Sequence, residues 1–536
     1  MFNFRPALFA ALFLCLGILT GYFCVIDGGS AWWAVCIVPA LSPSFFLLKN
    51  KKRVAIGVTT LCAAFAIGFL SFAVAMKNYR SIPAFDGVVT VTGQVYQTER
   101  DSYGLTVFLR DVSVNEQRTE GKLVAYLGGG FLPDLRLADV VILHGRVTTE
   151  RDGIAQYGLA SAEIADGIKY TLTSVDGATV AGYEFDLGLW LRERMVLILG
   201  ENMSPTSAAL TLALLTGDTS RIGDGLLQNV RYGGIAHIFA VSGMHIGALY
   251  AFCRLLMDKT KLKKLLPPVR FLLVSGVLIF YGYVCGFSAS VLRAVCLCLI
   301  TYACSLLAIT SDLLESLGVA LFLVLCCSPT LLFEVGCLLS FSACFGIALL
   351  SRRIQYVLDG AGMRLKRIFV KEQPENADWL PPNTKPPTVL EKCFSRFNGL
   401  LSVSLAAQIG TAPIQLYFFG YLSGVGILFN LLFVPLIGVC FGWLIAFVAV
   451  ACLFPAVAGG ILYAPSVLWE ALTLAFGVVD FSPFALTGVS VMFEVFLSYY
   501  WTVILLSDKI NLKKWRWGYA LGFFCLTAAM ILANYG

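Results

Sequence analysis

The sequence predicts a polytopic α-helical membrane protein of about 13 spans with one inserted all-β domain. Of its 536 residues, 58% are hydrophobic and only 13% are charged, about half the charged share of a soluble domain. Apolar runs near the ~20 residues that cross a bilayer recur from end to end. After Met76 the pattern changes to β-branched alternation, the mark of half-buried strands.

The first apolar run, 7–26, follows Arg5 in the manner of a signal peptide. Further runs at 31–48 and 54–76 make a retained helix the better reading. Residues 1–80 are thus a three-helix anchor. Lys/Arg excess marks the cytoplasmic face. Arg5 lies before the first span and Lys49, Lys51, Lys52 and Arg53 follow the second, so the N-terminus is cytoplasmic and the chain emerges outside after the third.

Residues 84–180 read as about five short strands with glycine turns, and an OB-like barrel is the first choice. Barrels of that type often bind single-stranded nucleic acid through a basic, aromatic face. This segment carries eight Lys/Arg against thirteen Asp/Glu, net −5, so a structural or docking role is equally compatible with it. Residues 185–230 follow as an amphipathic interfacial helix and linker, with Leu187, Leu189 and Trp190 set against Arg192, Glu193 and Arg194.

From 231 to 536 the chain reads as a multi-span domain. The loop 352–398 carries nine Lys/Arg and several prolines and is placed in the cytoplasm. A last span near 517–534, entered from Lys513, Lys514 and Arg516, puts the C-terminus outside. The 17 cysteines, nearly all in apolar runs, read as small buried hydrophobes rather than a disulfide scaffold.

Polar residues inside apolar spans are costly and mark candidate sites. His237 and His245 lie eight residues apart. On one unbroken helix that is about 12 Å of rise and roughly 80° of rotation, too far for a shared metal. Ser242-Gly243 between them is a plausible helix break, and broken helices in membranes usually line a cavity. Ser242 and His245, three apart, could form a nucleophile–base pair, but no carboxylate is nearby in sequence to orient the base. A polar helix contact and a lining role both remain open for this segment.

Asp218 and Arg221 follow an apolar stretch, and a capped turn with a local ion pair is the simpler reading. Arg293 falls inside a span, where it costs ~2.5–3.5 kcal/mol on insertion scales. Glu334 would neutralise it, and a guanidinium lining a polar route would suit phosphate. Gln408, Pro413, Asn430 and Pro435 interrupt further spans.

In order, these motifs resemble the ComEC family of competence proteins. They are Leu-Thr-Gly-Asp at 215–218, Gly-Ile-Ala-His-Ile-Phe-Ala-Val-Ser-Gly-Met-His at 234–245, Gly-Phe-Ser-Ala-Ser-Val-Leu-Arg-Ala at 286–294, Glu-Val-Gly-Cys-Leu-Leu-Ser-Phe at 334–341, and the 408–413 and 430–435 segments. The ordered set is specific, whereas each motif alone is not.

The resemblance implies a multi-pass protein of the bacterial inner membrane, a non-enzymatic channel for single-stranded DNA in natural transformation. His237, Ser242, Gly243, His245, Arg293, Asp218, Arg221, Glu334 and Gln408 would line its path. It also implies a short form without the metallo-β-lactamase-like domain of longer relatives, since only three histidines are present and no metal cluster is legible. No phosphate-cradling nucleotide loop appears either. No cofactor is implied. A separate nuclease and a cytoplasmic ATPase would be the partners, along with the lipid bilayer, and a homo-oligomer is compatible with the reading. The rival readings are a secondary transporter of another anionic envelope substrate and, less favoured, an intramembrane serine hydrolase.

Overall fold

The computed structural model describes residues 5–26, 52–100, 104–128, 135–149, 167–239, 243–310, 312–369, 389–478, 481–487, 493–506, 518 and 521–522. The second expected span, nearly all of the last, residues 370–388 of the basic loop and Ser242 lie outside them, and the rest of that loop is helical.

Two long helices, α1 (Pro6–Ile26) and α2 (Lys52–Ser81), pack at backbone contact. A Cβ on Gly17 would stand 2.1 Å from the Phe65 carbonyl oxygen, and one on Gly68 would stand 2.2 Å from that of Leu14. Between membrane helices the apolar side chains gain nothing by leaving lipid, so close van der Waals approach across small residues drives association.

Strands β1 (Gly87–Arg100), β2 (Gly104–Val114), β3 (Gln117–Arg118), β4 (Lys122–Gly128), β5 (Asp139–Thr149) and β6 (Ile168–Tyr183) form the β domain. Following the pairings β1–β2, β2–β4, β4–β6, β6–β5 and β5–β1 returns to the start, so five strands close into a barrel. Only β4–β6 is parallel; the other four pairings are antiparallel. Closure removes the exposed edges that would otherwise template aggregation. The alternation visible in the sequence fills the interior: Val91, Val107, Leu109, Leu123, Leu143 and Leu172 are completely buried.

The barrel is tied to the membrane domain at the start of α3 (Leu187–Asn202). Asp186 caps that helix by accepting the Leu189 N–H at 2.9 Å and pairs with the barrel's Arg110 at 2.8 Å. Arg110 also donates to Gln94, whose amide donates to the Glu184 carbonyl at 2.7 Å. Burial alone would raise the Asp186 carboxyl; the Arg110 guanidinium and the Leu189 N–H outweigh it and hold it at about 2. Farther along α3, Arg192 donates to the Val284 carbonyl in the membrane domain.

The membrane domain continues through α4 (Pro205–Thr216), α5 (Asp224–Tyr232), α6 (Ala236–Phe239), α7 (Gly243–Lys259), α8 (Pro267–Val284), α9 (Ala289–Leu306), α10 (Leu313–Cys327), α11 (Val335–Phe369), α12 (Val389–Phe419), α13 (Gly426–Leu453), α14 (Ala458–Val478) and α15 (Phe493–Leu506). A two-stranded ribbon, β7 (Tyr421–Ser423) with β8 (Ala485–Thr487), joins two of its turns.

Among the described residues, seven helices are long and apolar enough to cross a membrane, or eight with the bent α13 counted as one. That is fewer than the thirteen the hydropathy pattern predicts. Two of the expected spans lie outside the described residues. The run near 312–328 forms a helix of only 15 residues, α10, because Asp312 and Ser328 flank it. At 1.5 Å per residue it is about 22 Å long, short of ~30 Å of hydrocarbon.

Candidate functional site

The buried polar residues of the membrane domain fall into three groups. The first surrounds Arg293 on α9. The turn before α9 is tight: Gly286 and Phe287 have φ of 76° and 51°. This turn lets α9 start at Ala289 and carry Arg293 into the interior, where it is only 6% exposed. Its guanidinium lies over the Phe341 ring at 5.8 Å and donates to the Cys344 thiol, both on α11. A cation over an aromatic face recovers part of the lost hydration. The Nε atom is buried with no hydrogen-bond partner among the described residues.

Gly243, the first residue of α7, meets the other side of the guanidinium. A Cβ there would lie 2.7 Å from Nη2, so the bare backbone is what allows the contact. One turn toward the start of α9 from Arg293, Ser290 donates to Ser340 of α11 at 3.1 Å. Gly243 and Arg293, fifty residues apart, are thus in contact. Ser242 is outside the described residues. Glu334 sits just before α11, with its carboxylate 3.0 Å from where a Gly336 Cβ would be.

The second group surrounds His245. It is completely buried, and its ring lies 4.5 Å from that of Phe441 on α13. Phe441 also meets Tyr281 of α8, whose hydroxyl donates to the Leu215 carbonyl at 2.6 Å. That carbonyl ends α4, where Gly217 takes the left-handed cap at φ 82°. Asp218 follows and accepts both the N–H and the hydroxyl of Ser220. Asp218 therefore organises a turn, while Arg221 is exposed. His237, on the short α6, is exposed while its neighbours Ile238 and Phe239 are buried.

The third group gathers around Pro413 inside α12 and the turn that follows it. Gln408 donates to the Ser423 carbonyl at 2.8 Å, and its Oε1 is buried with no partner among the described residues, as is Oδ1 of Asn430. The Ser423 hydroxyl accepts the Gly426 N–H at 3.0 Å. Gly234, with φ 73°, presses on the same point: its Cβ would fall 2.7 Å from Gly426 Cα. Pro413 has no N–H, so the carbonyl four residues back, Ile409, loses its helical donor. The Tyr499 hydroxyl of α15 supplies one at 2.7 Å, and Tyr500 reaches the Gly410 carbonyl at 2.9 Å.

Sequence reasoning missed Tyr281, Phe441, Tyr499 and Tyr500. Pro413 marked an interruption, but nothing in the sequence says which distant hydroxyl meets the carbonyl it frees. Among the described residues there is no cluster of three or more His, Cys, Asp or Glu able to hold a metal ion.

A buried guanidinium and a proline-bearing helix inside a bundle of apolar helices, with a β-barrel docked on it, define a polytopic membrane protein with a few buried polar groups. The family model described as "Competence protein" matches residues 214–513, more than half of the chain, and the chain belongs to that family. It is 26% identical over 272 residues to ComE operon protein 3 of Bacillus subtilis (strain 168). That match covers 51% of this chain and 30% of the relative. No solved structure matches.

Proposed function

We propose that this chain is the inner-membrane conduit for single-stranded DNA during natural transformation, a channel rather than an enzyme. The observation that carries the proposal is Arg293, a cation sunk among apolar helices, its guanidinium against the Gly243 backbone and its Nε without a hydrogen-bond partner among the described residues. A guanidinium in low dielectric is expensive, and its planar fork matches phosphate oxygens. Gln408 and Asn430, whose buried side-chain oxygens have no donor among the described residues, supply uncharged polar groups elsewhere in the same domain. Membership of the competence family supports DNA as the anion.

The strand order and the single parallel pairing of the barrel support an OB-type fold. Its acidic balance favours docking over binding of the strand. The charge pattern supports a cytoplasmic N-terminus, an external barrel and an external C-terminus. A nuclease and a cytoplasmic ATPase are assigned to other chains.

The test is uptake of labelled DNA by cells carrying Arg293→Gln, at normal protein level. The expected result is a loss of ten-fold or more, with partial recovery in Arg293→Lys. Wild-type uptake in Arg293→Gln would reject the assignment. Intact uptake in a deletion strain with envelope defects would instead favour the transport of another anion.

A further inference from the structure

The helix α13 bends by 46° between Gly438 and Phe441. It carries Pro435 just before the bend, where the carbonyl of Leu431 loses its helical donor. The facing helix α14 carries Pro465 in its interior. A helix bent by 46° cannot follow its neighbour along its whole length, and the gap between the two is a groove of about 310 Å³. Leu436 and Ile437 line it before the bend, Trp443 and Phe447 after it, and Pro465 and Trp469 from α14.

The lining is almost wholly apolar, with the indole N–H groups of Trp443 and Trp469 as its side-chain donors. The volume is about twice that of an apolar cavity known to stay dry and take up benzene, and it reaches the lower limit of small-ligand sites. Water needs two to four polar partners, and these side chains offer it no acceptor. A nucleotide or a metal ion would lose its hydration for nothing. A further helix, 10–12 Å across with its side chains, is too wide for the space.

At its mouth Trp443 is 59% exposed and Leu468 38% exposed, so the groove opens toward the surroundings. Its walls are membrane-spanning helices, and around them the available apolar solvent is lipid. At its back Trp469 is only 5% exposed.

We infer that this groove is a binding site for one acyl chain of a membrane phospholipid, wedged at the α13 bend. The same bend carries Phe441, whose ring rests on His245. The chain would therefore hold that aromatic contact in place from the lipid side. The inference does not depend on what passes through the protein.

The test uses the full-length protein, purified and examined by native mass spectrometry for retained phospholipid. It is then reconstituted in vesicles of phosphatidylethanolamine and phosphatidylglycerol with brominated acyl chains. Ala464 lines the groove and is exposed, so Ala464→Phe fills the space and Ala464→Leu fills part of it.

Wild type should retain one phospholipid that Ala464→Phe loses and Ala464→Leu holds in part. Bromine in the surrounding lipid reaches Trp443 in every variant, but reaches Trp469 only from inside the groove. Quenching of the Trp469 component, defined by difference from Trp469→Phe, should therefore disappear in Ala464→Phe and weaken in Ala464→Leu. Equal lipid retention, or equal Trp469 quenching, in wild type and Ala464→Leu would overturn the proposal.

Discussion

Replacing Asp186 by Asn tests the joint between barrel and membrane domain. Asn keeps the side-chain oxygen that caps α3 and is as good a cap as Asp, so the change isolates the charge. The wild-type carboxyl sits at about 2, against an ordinary 3.8. At 1.36 kcal/mol per pH unit that difference is worth about 2 kcal/mol. Arg110 keeps 33% of its side-chain surface in solvent, and screening there trims the figure to about 1–2 kcal/mol.

The carboxyl is depressed in the folded state, so its contribution is complete above about pH 4 and is lost as pH falls toward 2. The assay is hydrogen exchange of the first turn of α3 and of the β6 end in the full chain in nanodiscs. At neutral pH the Asn variant should exchange about five to thirty times faster there, the factor that 1–2 kcal/mol represents. The gap between variant and wild type should close between about pH 4 and pH 2. Equal exchange at neutral pH, or a gap that persists at pH 2, would refute the electrostatic account of the joint.

Other outcomes follow from the same geometry. Gly243→Ala places a methyl 2.7 Å from the Arg293 Nη2; the guanidinium must move, and DNA uptake should fall several-fold at unchanged protein level. Gly410→Val puts branched carbon against the Ser342 carbonyl, which a single Cβ already meets at 2.5 Å, so the α11–α12 crossing should open and the thermal midpoint in detergent should drop, at a cost of about 1–3 kcal/mol or more. Tyr499→Phe strips the Ile409 carbonyl of its donor and should cost about 0.6–2 kcal/mol, read as a lower midpoint with the fold retained.

Much of the fold was legible because membrane and barrel both impose simple rules on sequence. A helix surrounded by lipid must be apolar along its length, and a strand with one buried face must alternate. The runs over α1, α2, α8 and α9, and the strands β1, β2, β4 and β5, are written in those two periods. Hydropathy read the run over α10 as a full span because it measures composition. It does not register that α10 is held to 15 residues by its flanks.

The candidate site was legible only in part. Arg293, Gln408 and Glu334 announced themselves as polar groups in apolar runs. Which of them touch was not announced. Arg293 had Glu334 as its obvious sequence partner, whereas the described contacts of its guanidinium are a thiol, a phenyl face and a glycine backbone. Asp218, conspicuous in the sequence, is spent on a turn.

By itself, then, the sequence determined that this is a membrane protein with an inserted β domain. It also located the polar breaks, because burial cost and periodicity act residue by residue along the chain. Only the tertiary structure decided that Gly243 faces Arg293, that His245 rests on Phe441 and that Tyr499 and Tyr500 bond to the carbonyls beside Pro413. These are contacts between helices 50 to 200 residues apart. They depend on crossing points set by small residues and bends, and no local pattern encodes the partner across such a crossing.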